Sequence, residues 1–195
     1  MKGSRPKFVV GIGGSAGGLN AYKALLDALP ANSGMAFVIV SHILPTANSQ
    51  LASILSRHTR MPVSVACAAM PVFADRVYVC PPNADLRVEG HQFRVVSPRN
   101  HRNVAVDVLF TSLAEAVGAR AVGIVLSGYD GDGTEGCRQI KAKGGITFAQ
   151  DTSADVGDMP LSAQAAGCID FVLSPGQISR RLQAIGQSGR GMTIE

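Results

Sequence analysis

The sequence predicts an α/β fold: a doubly wound, mostly parallel sheet with helices on both faces and one antiparallel hairpin. Three observations carry this. Apolar runs of strand length alternate with amphipathic segments of helix length. The strand runs are almost continuously apolar, the pattern of strands covered on both faces. Glycine is frequent, 22 of 195 residues, and tryptophan is absent; abundant glycine suits a chain with many tight strand-to-helix turns.

The elements follow in order. Phe8–Ile12 reads as a strand and Leu19–Leu29 as a helix stopped by Pro30. Ala36–Val40 is a second strand, and Ser49–His58 a helix with Leu51, Ile54 and Leu55 on one face. Val63–Ala66 and Arg76–Val79 are short strands. Asp85–Val96 alternates around Glu89-Gly90, a hairpin signal. Val106–Val117 is a helix, Ala121–Leu126 a strand, and Gly136–Lys143 a helix ended by Gly144-Gly145. Ile146–Ala149 is a strand, Leu161–Ala166 a short helix, and Ile169–Leu173 a strand. Pro175–Ile185 is the last helix, with proline in its first turn. The expected organisation is an N-terminal tail over 1–7, one domain over 8–185 and a frayed C-terminal tail over 186–195.

Composition narrows the function classes. Hydrophobic residues make up 46% of the chain, enough for one well-filled core. The net charge of +4 is a mild excess, partly spread over the two ends (Lys2, Arg5, Lys7 and Arg180, Arg181, Arg190), with Arg99-Asn100-His101-Arg102 the one internal basic knot. A nucleic-acid binder shows a denser basic stripe, so nucleic acid is not an expected partner. Cys67, Cys80, Cys137 and Cys168 form no C-x-x-C and fall in or beside apolar segments, which predicts buried free thiols. No metal site is expected. The first apolar run is too short for a signal peptide or a membrane span, so a cytoplasmic protein is expected.

In a doubly wound sheet, ligands bind beyond the carboxyl ends of the strands, where the winding reverses. Gly13-Gly14-Ser15-Ala16-Gly17 follows the first strand and Ser41-His42 the second. Ser127-Gly128-Tyr129-Asp130-Gly131-Asp132-Gly133 follows the strand at Ala121–Leu126. A serine, a histidine and two aspartates thus share one predicted rim. Ser15 then has three readings. As a nucleophile in a G-x-S-x-G turn, it needs His42 as base and Asp132 or Asp130 to orient the imidazole. Backbone N–H groups at the following helix start would face a developing oxyanion. As part of a phosphate loop, Gly11-Ile12-Gly13 and Gly17 resemble a loosened dinucleotide fingerprint. The acidic residue due at the end of the second strand is missing, however, and Ser41-His42 stands there. As a structural residue, Ser15 only begins a helix. The company of His42 and Asp132 favours the first reading; Asp130 reads better as a turn former, but spacing alone does not separate the two aspartates as the triad acid. His58, ending a helix, His91, in a hairpin turn, and His101, in the basic loop, are expected to be structural or solvated.

These segments resemble the catalytic domain of the chemotaxis protein-glutamate methylesterase (CheB) family along nearly the whole chain. FVVGIGGSAGG is similar to that family's serine loop and VIVSHILP to its histidine segment. VYVCPPNADL, AVDVLFTSLAE, IVLSGYDGDGTEG and GGITFAQDTSADVGDMPLSA resemble further blocks, in the family's order. The likeness is greatest to the form fused to receptor methyltransferases. The resemblance implies Ser15 as nucleophile, His42 as base and Asp132, rather than Asp130, as orienting acid. Backbone amides near Ala16 and Tyr129 are then the oxyanion donors. It implies hydrolysis of glutamate γ-methyl esters on chemoreceptor cytoplasmic helices, with deamidation of receptor glutamines as a second activity and no cofactor. The implied partners are the methylated receptor and a receptor methyltransferase or separate regulatory protein. The alternative is a catalytically weak receptor-binding module of the same fold. Ala16, where the family often has threonine, Tyr129-Asp130-Gly131, where a small or methionine-glycine stretch is usual, and Asp158, where glycine is common, depart from the pattern.

Overall fold

The computed structural model describes residues 3–42, 50–99 and 103–188. Seven parallel strands form one sheet in the order β3-β4-β2-β1-β7-β8-β9. They are β1 (Phe8–Gly14), β2 (Met35–Ser41), β3 (Val63–Val65), β4 (Arg76–Val79), β7 (Ala121–Val125), β8 (Ile146–Gln150) and β9 (Phe171–Leu173). A separate antiparallel hairpin pairs β5 (Asp85–Glu89) with β6 (Gln92–Val96). The helices are α1 (Gly18–Asp27), α2 (Leu51–Leu55), α3 (Ala105–Val117), α4 (Thr134–Ala142), α5 (Asp158–Ala165) and α6 (Pro175–Ser188). The predicted fold class is the observed one.

Period-2 geometry sends alternate strand residues to opposite faces, and each face has its own core. Val10 and Ile12 of β1, Phe37 and Ile39 of β2 and Ile124 of β7 pack under α1, α2 and α6 with Tyr22, Leu25, Leu55, Ile178 and Leu182. Val9, Val38, Val40 and Val125 face α3, α4, α5 and the hairpin, with Val106, Phe110, Leu113, Ile140 and Met159. The hairpin is tied to α3 where the Val88 N–H donates to Ser112 Oγ at 3.0 Å.

The glycines of β1 are explained by α3. A Cβ on Gly11 would lie 2.8 Å from both Phe110 and Leu113, and one on Gly13 only 2.2 Å from Val106. On β7, a Cβ on Gly123 would meet Ile140 at 2.8 Å. Bare backbone at these positions lets α3 and α4 lie close to the strands. A dinucleotide loop is not needed to account for them.

The departures from the sequence reading have local causes. Met159-Pro160 falls inside α5, which starts at Asp158 because proline is well tolerated in a first turn. The last strand is confined to Phe171–Leu173, matching its short pairing with β8. Helix α6 runs on to Ser188, so Gly186–Ser188 is helical rather than frayed; Gly186 is buried there, and a Cβ on it would lie 3.2 Å from Met35. Helix α2 covers only Leu51–Leu55, and Ser49 lies outside the described residues. Three cysteines are buried free thiols, but Cys67 is exposed, lying beyond β3 on a loop. His58 does more than face a helix end: its Nδ1 lies 3.0 Å from Asp27 of α1.

Replacing Gly13 by alanine is therefore expected to force α3 off the sheet and cost about 1–3 kcal/mol of stability. Gly176→Ala, whose Cβ meets nothing within 4 Å, is expected to be neutral or stabilising by up to about 1 kcal/mol. Urea midpoints of the two variants check this. Equal midpoints would show that the glycine at position 13 is not there for close packing.

Candidate active site

The winding direction reverses between β1 and β7, so the loops after these strands diverge to opposite faces and leave a crevice. Ser15 follows β1, and Ser127–Gly133 lies between β7 and α4. On the other side of β1, Gly14 is in register with Ser41, so Ser15 and His42 are the next residues of adjacent parallel strands. The three predicted side chains thus come from three neighbouring strand ends.

The turn carrying Ser15 is heavily anchored. The Ser15 N–H donates to the Ser127 carbonyl at 2.8 Å, and the Ser15 carbonyl accepts from Gly18 N–H at 2.9 Å. Ser127 is fully buried. Its Oγ donates to the Ala16 carbonyl at 2.7 Å and accepts from Val156 N–H at 2.9 Å. Its own N–H donates to Gln150 Oε1 at 3.0 Å. Gly17 turns the chain into α1 with φ +73°, a left-handed value that glycine adopts without strain. Gly128 is needed for close approach, since a Cβ there would sit 3.0 Å from Ser15 Cβ. Among the described residues, the Ala16 and Tyr129 N–H groups donate to nothing within the chain. The Ser15 N–H, held by Ser127, is not free for an oxyanion.

His42 and Asp132 meet directly. His42 Nε2 lies 2.6 Å from Asp132 Oδ2, with the histidine side chain 11% exposed and the carboxylate fully buried. A buried carboxylate needs several donors, and α3 supplies two. Val106 N–H donates to Oδ2 at 2.9 Å and Asp107 N–H to Oδ1 at 2.8 Å. These amides are among the orphan donors of the first turn of α3, whose N-cap, Val104, has no polar side chain to serve them. The positive end of the helix dipole faces the carboxylate from the same side. Asp130 plays a different part, since its Oδ1 accepts the Asp132 N–H at 3.0 Å with φ +66°, which makes it a turn residue. Among the described residues no hydrogen bond joins Ser15 to His42. His42 Nδ1 is left without a hydrogen bond among the described residues. Of the other candidates, His91 is exposed and Tyr129 is 60% exposed beside the crevice. His101, Arg102 and the Ile43-Leu44-Pro45 stretch of the histidine segment lie outside the described residues.

Sequence reasoning missed Ser127, Gln150 and Asp107. Asp107 Oδ1 accepts from Gly133 N–H at 3.0 Å and Gly136 N–H at 2.7 Å, so it caps α4. A polar residue at the end of an apolar strand, as at 127 and 150, and an acidic residue in a helix's first turn, as at 107, were the available signals. No group of three or more His, Cys, Asp or Glu side chains among the described residues could hold a metal ion.

The fold thus brings a serine, a histidine and a buried aspartate to neighbouring strand ends at the switch point of a doubly wound sheet, the residue types that acyl-transfer hydrolases combine. The comparisons with known proteins agree. Residues 10–182 match the family model described as CheB methylesterase. A putative protein-glutamate methylesterase/protein-glutamine glutaminase of Leptospira interrogans is 33% identical over 181 residues, covering 91% of this chain and 94% of that one. A protein-glutamate methylesterase/protein-glutamine glutaminase 2 of Xanthomonas oryzae pv. oryzae is 33% identical over 202 residues, covering 97% of this chain and 56% of that one. The crystal structure of the Thermotoga maritima CheB methylesterase catalytic domain superposes with a TM-score of 0.83 at 25% identity, covering 95% of this chain and 100% of that one. The chain belongs to the CheB methylesterase family.

Burial pushes the Asp107 carboxyl above its ordinary range, the Gly136 amide pulls it back, and the charge on Asp132 adds to the rise. The folded chain therefore holds the Asp107 proton more tightly than the unfolded chain does. That contribution to stability is full below the unfolded value of about 3.9 and is lost as pH rises through the higher folded value. Relative to Asp107→Asn, the wild-type chain is expected to lose stability across that window. Denaturant midpoints of both proteins at several pH values check it, and a difference that does not change with pH would refute it.

Proposed function

We propose that this protein is a serine hydrolase that removes the methyl group from glutamate γ-methyl esters on chemoreceptor cytoplasmic helices, with Ser15, His42 and Asp132 as its triad. The same acyl-transfer chemistry, with ammonia in place of methanol, would deamidate glutamine. The observation that carries the reading is the His42–Asp132 contact of 2.6 Å, formed at the strand end next to the turn that holds Ser15.

In this reading His42 Nδ1 takes the proton from Ser15 Oγ as the hydroxyl attacks the ester carbonyl. Asp132, accepting from Nε2–H, fixes the tautomer that leaves Nδ1 unprotonated, and it balances the imidazolium that forms. The N–H groups of Ala16 and Tyr129 are positioned at the rim to receive the oxyanion. His42 then gives the proton to departing methoxide. Water, deprotonated by the same imidazole, hydrolyses the γ-glutamyl ester of Ser15 and frees the carboxylate. The chain's own groups supply every proton transfer. Among the described residues no helix is long and apolar enough to cross a membrane, and a cytoplasmic location follows from the proposed substrate.

The absence of a Ser15–His42 hydrogen bond gives a specific reason to keep the second reading, a receptor-binding module with weak turnover. Two measurements decide. Methanol release from a methylated receptor fragment is expected for the wild-type chain and is expected to fall about 1000-fold or more in Ser15→Ala, with the melting temperature nearly unchanged. A fluorophosphonate probe is expected to label Ser15. Receptor binding with neither methanol release nor labelling would establish the module and sink the enzyme.

A further inference from the structure

Asp132 caps α3, and Asp107 in the first turn of α3 caps α4, the helix that begins just after Asp132. Neither helix has a capping side chain of its own: their N-caps are Val104 and Gly133. Each helix therefore has its exposed amides satisfied by a carboxylate belonging to the other's neighbourhood. The two helices also touch closely at this end, since a Cβ on Gly136 would lie 2.4 Å from Phe110 and 3.2 Å from the Asp107 backbone. The result is a crossed clasp with His42 at its outer end.

We infer that Asp107 is a positioning residue for the catalytic acid: by holding the Gly133 and Gly136 amides it fixes the backbone from which Asp132 reaches both α3 and His42. This inference rests on the triad reading above. The physical reason is directness. Gly133 is the residue after Asp132; at φ +96° the chain needs glycine there, and glycine has no side chain to hold the turn in place. One hydrogen bond from Asp107 pins that peptide and a second pins the first turn of α4. Without them, the Asp132 carboxylate has only the donors that it must itself align. Asp107 is partly exposed and makes no hydrogen bond or ion pair with Ser15 or His42 among the described residues. It acts only through Asp132.

A double-mutant cycle tests this on the full chain. Asp107→Asn keeps the acceptor oxygen for both glycine amides and is expected to stay within about threefold of wild-type kcat. Asp107→Ala removes it and is expected to lower kcat by about 10- to 100-fold with KM unchanged, because misplacement by a fraction of an ångström is costly in a proton-transfer site. Asp132→Asn with Asp107→Ala is expected to be no slower than Asp132→Asn alone, since groups acting as a unit are not additive. The same cycle is run on the rate of fluorophosphonate labelling at Ser15, which needs no receptor. If methanol release fails but labelling proceeds, the substrate reading is wrong and the labelling cycle still decides the role of Asp107. Unchanged kcat and labelling in a folded Asp107→Ala, or losses that simply multiply in the double variant, would overturn the inference and leave Asp107 as a helix cap only.

Discussion

The close approach of α3 to β1 and β7 is the constraint on which this structure depends. Gly11, Gly13 and Gly123 present bare backbone where a side chain would collide with Phe110, Leu113, Val106 or Ile140. The approach lays the first turn of α3 over the end of β7. Two amides of that turn then find their acceptor in Asp132, and the buried carboxylate finds donors it could not otherwise have. Packing and electrostatics are one arrangement here. A helix standing an ångström farther off would leave both its own amides and the carboxylate short of partners, each a cost of roughly 1–3 kcal/mol.

The nucleophile side is built in a similar way. Ser127, fully buried, makes four hydrogen bonds that join the β1 turn, the end of β7, Gln150 of β8 and Val156. The turn around Ser15 is rigid because its peptides are committed to Ser127, whereas the Ala16 and Tyr129 amides remain uncommitted among the described residues. The amides that hold the loop and those left uncommitted are thus different ones. The turn-forming Asp130 supports the segment that carries Asp132, since its carboxylate accepts from the Asp132 amide, and Tyr129 beside it is exposed.

Much of the site was legible in the sequence because the doubly wound topology turns strand ends into a ligand rim. Reading which polar residue follows each apolar run was enough to collect Ser15, His42 and Asp132. The residues that support them were not legible. Asp107 sits in a helix whose sequence reads as an ordinary amphipathic segment, and its partners are backbone amides 26 and 29 positions away. Ser127 and Gln150 look like ordinary strand-end residues until the β1 turn is folded over them. The sequence pattern starts α5 at Leu161 and ends α6 at Ile185; the helices instead begin at Asp158, where Pro160 is tolerated in the first turn, and run on to Ser188, where Gly186 packs against Met35.

The sequence by itself determined the class of fold, the order of its elements and the candidate chemistry, because apolar periodicity and glycine placement are local signals that need no partner to be read. The tertiary structure alone decided which imidazole nitrogen Asp132 meets, which amides hold that carboxylate and why the first strand is so rich in glycine. Those outcomes depend on which helix end lies over which strand. That is a property of packing across long separations in the chain, and no short stretch of residues contains it.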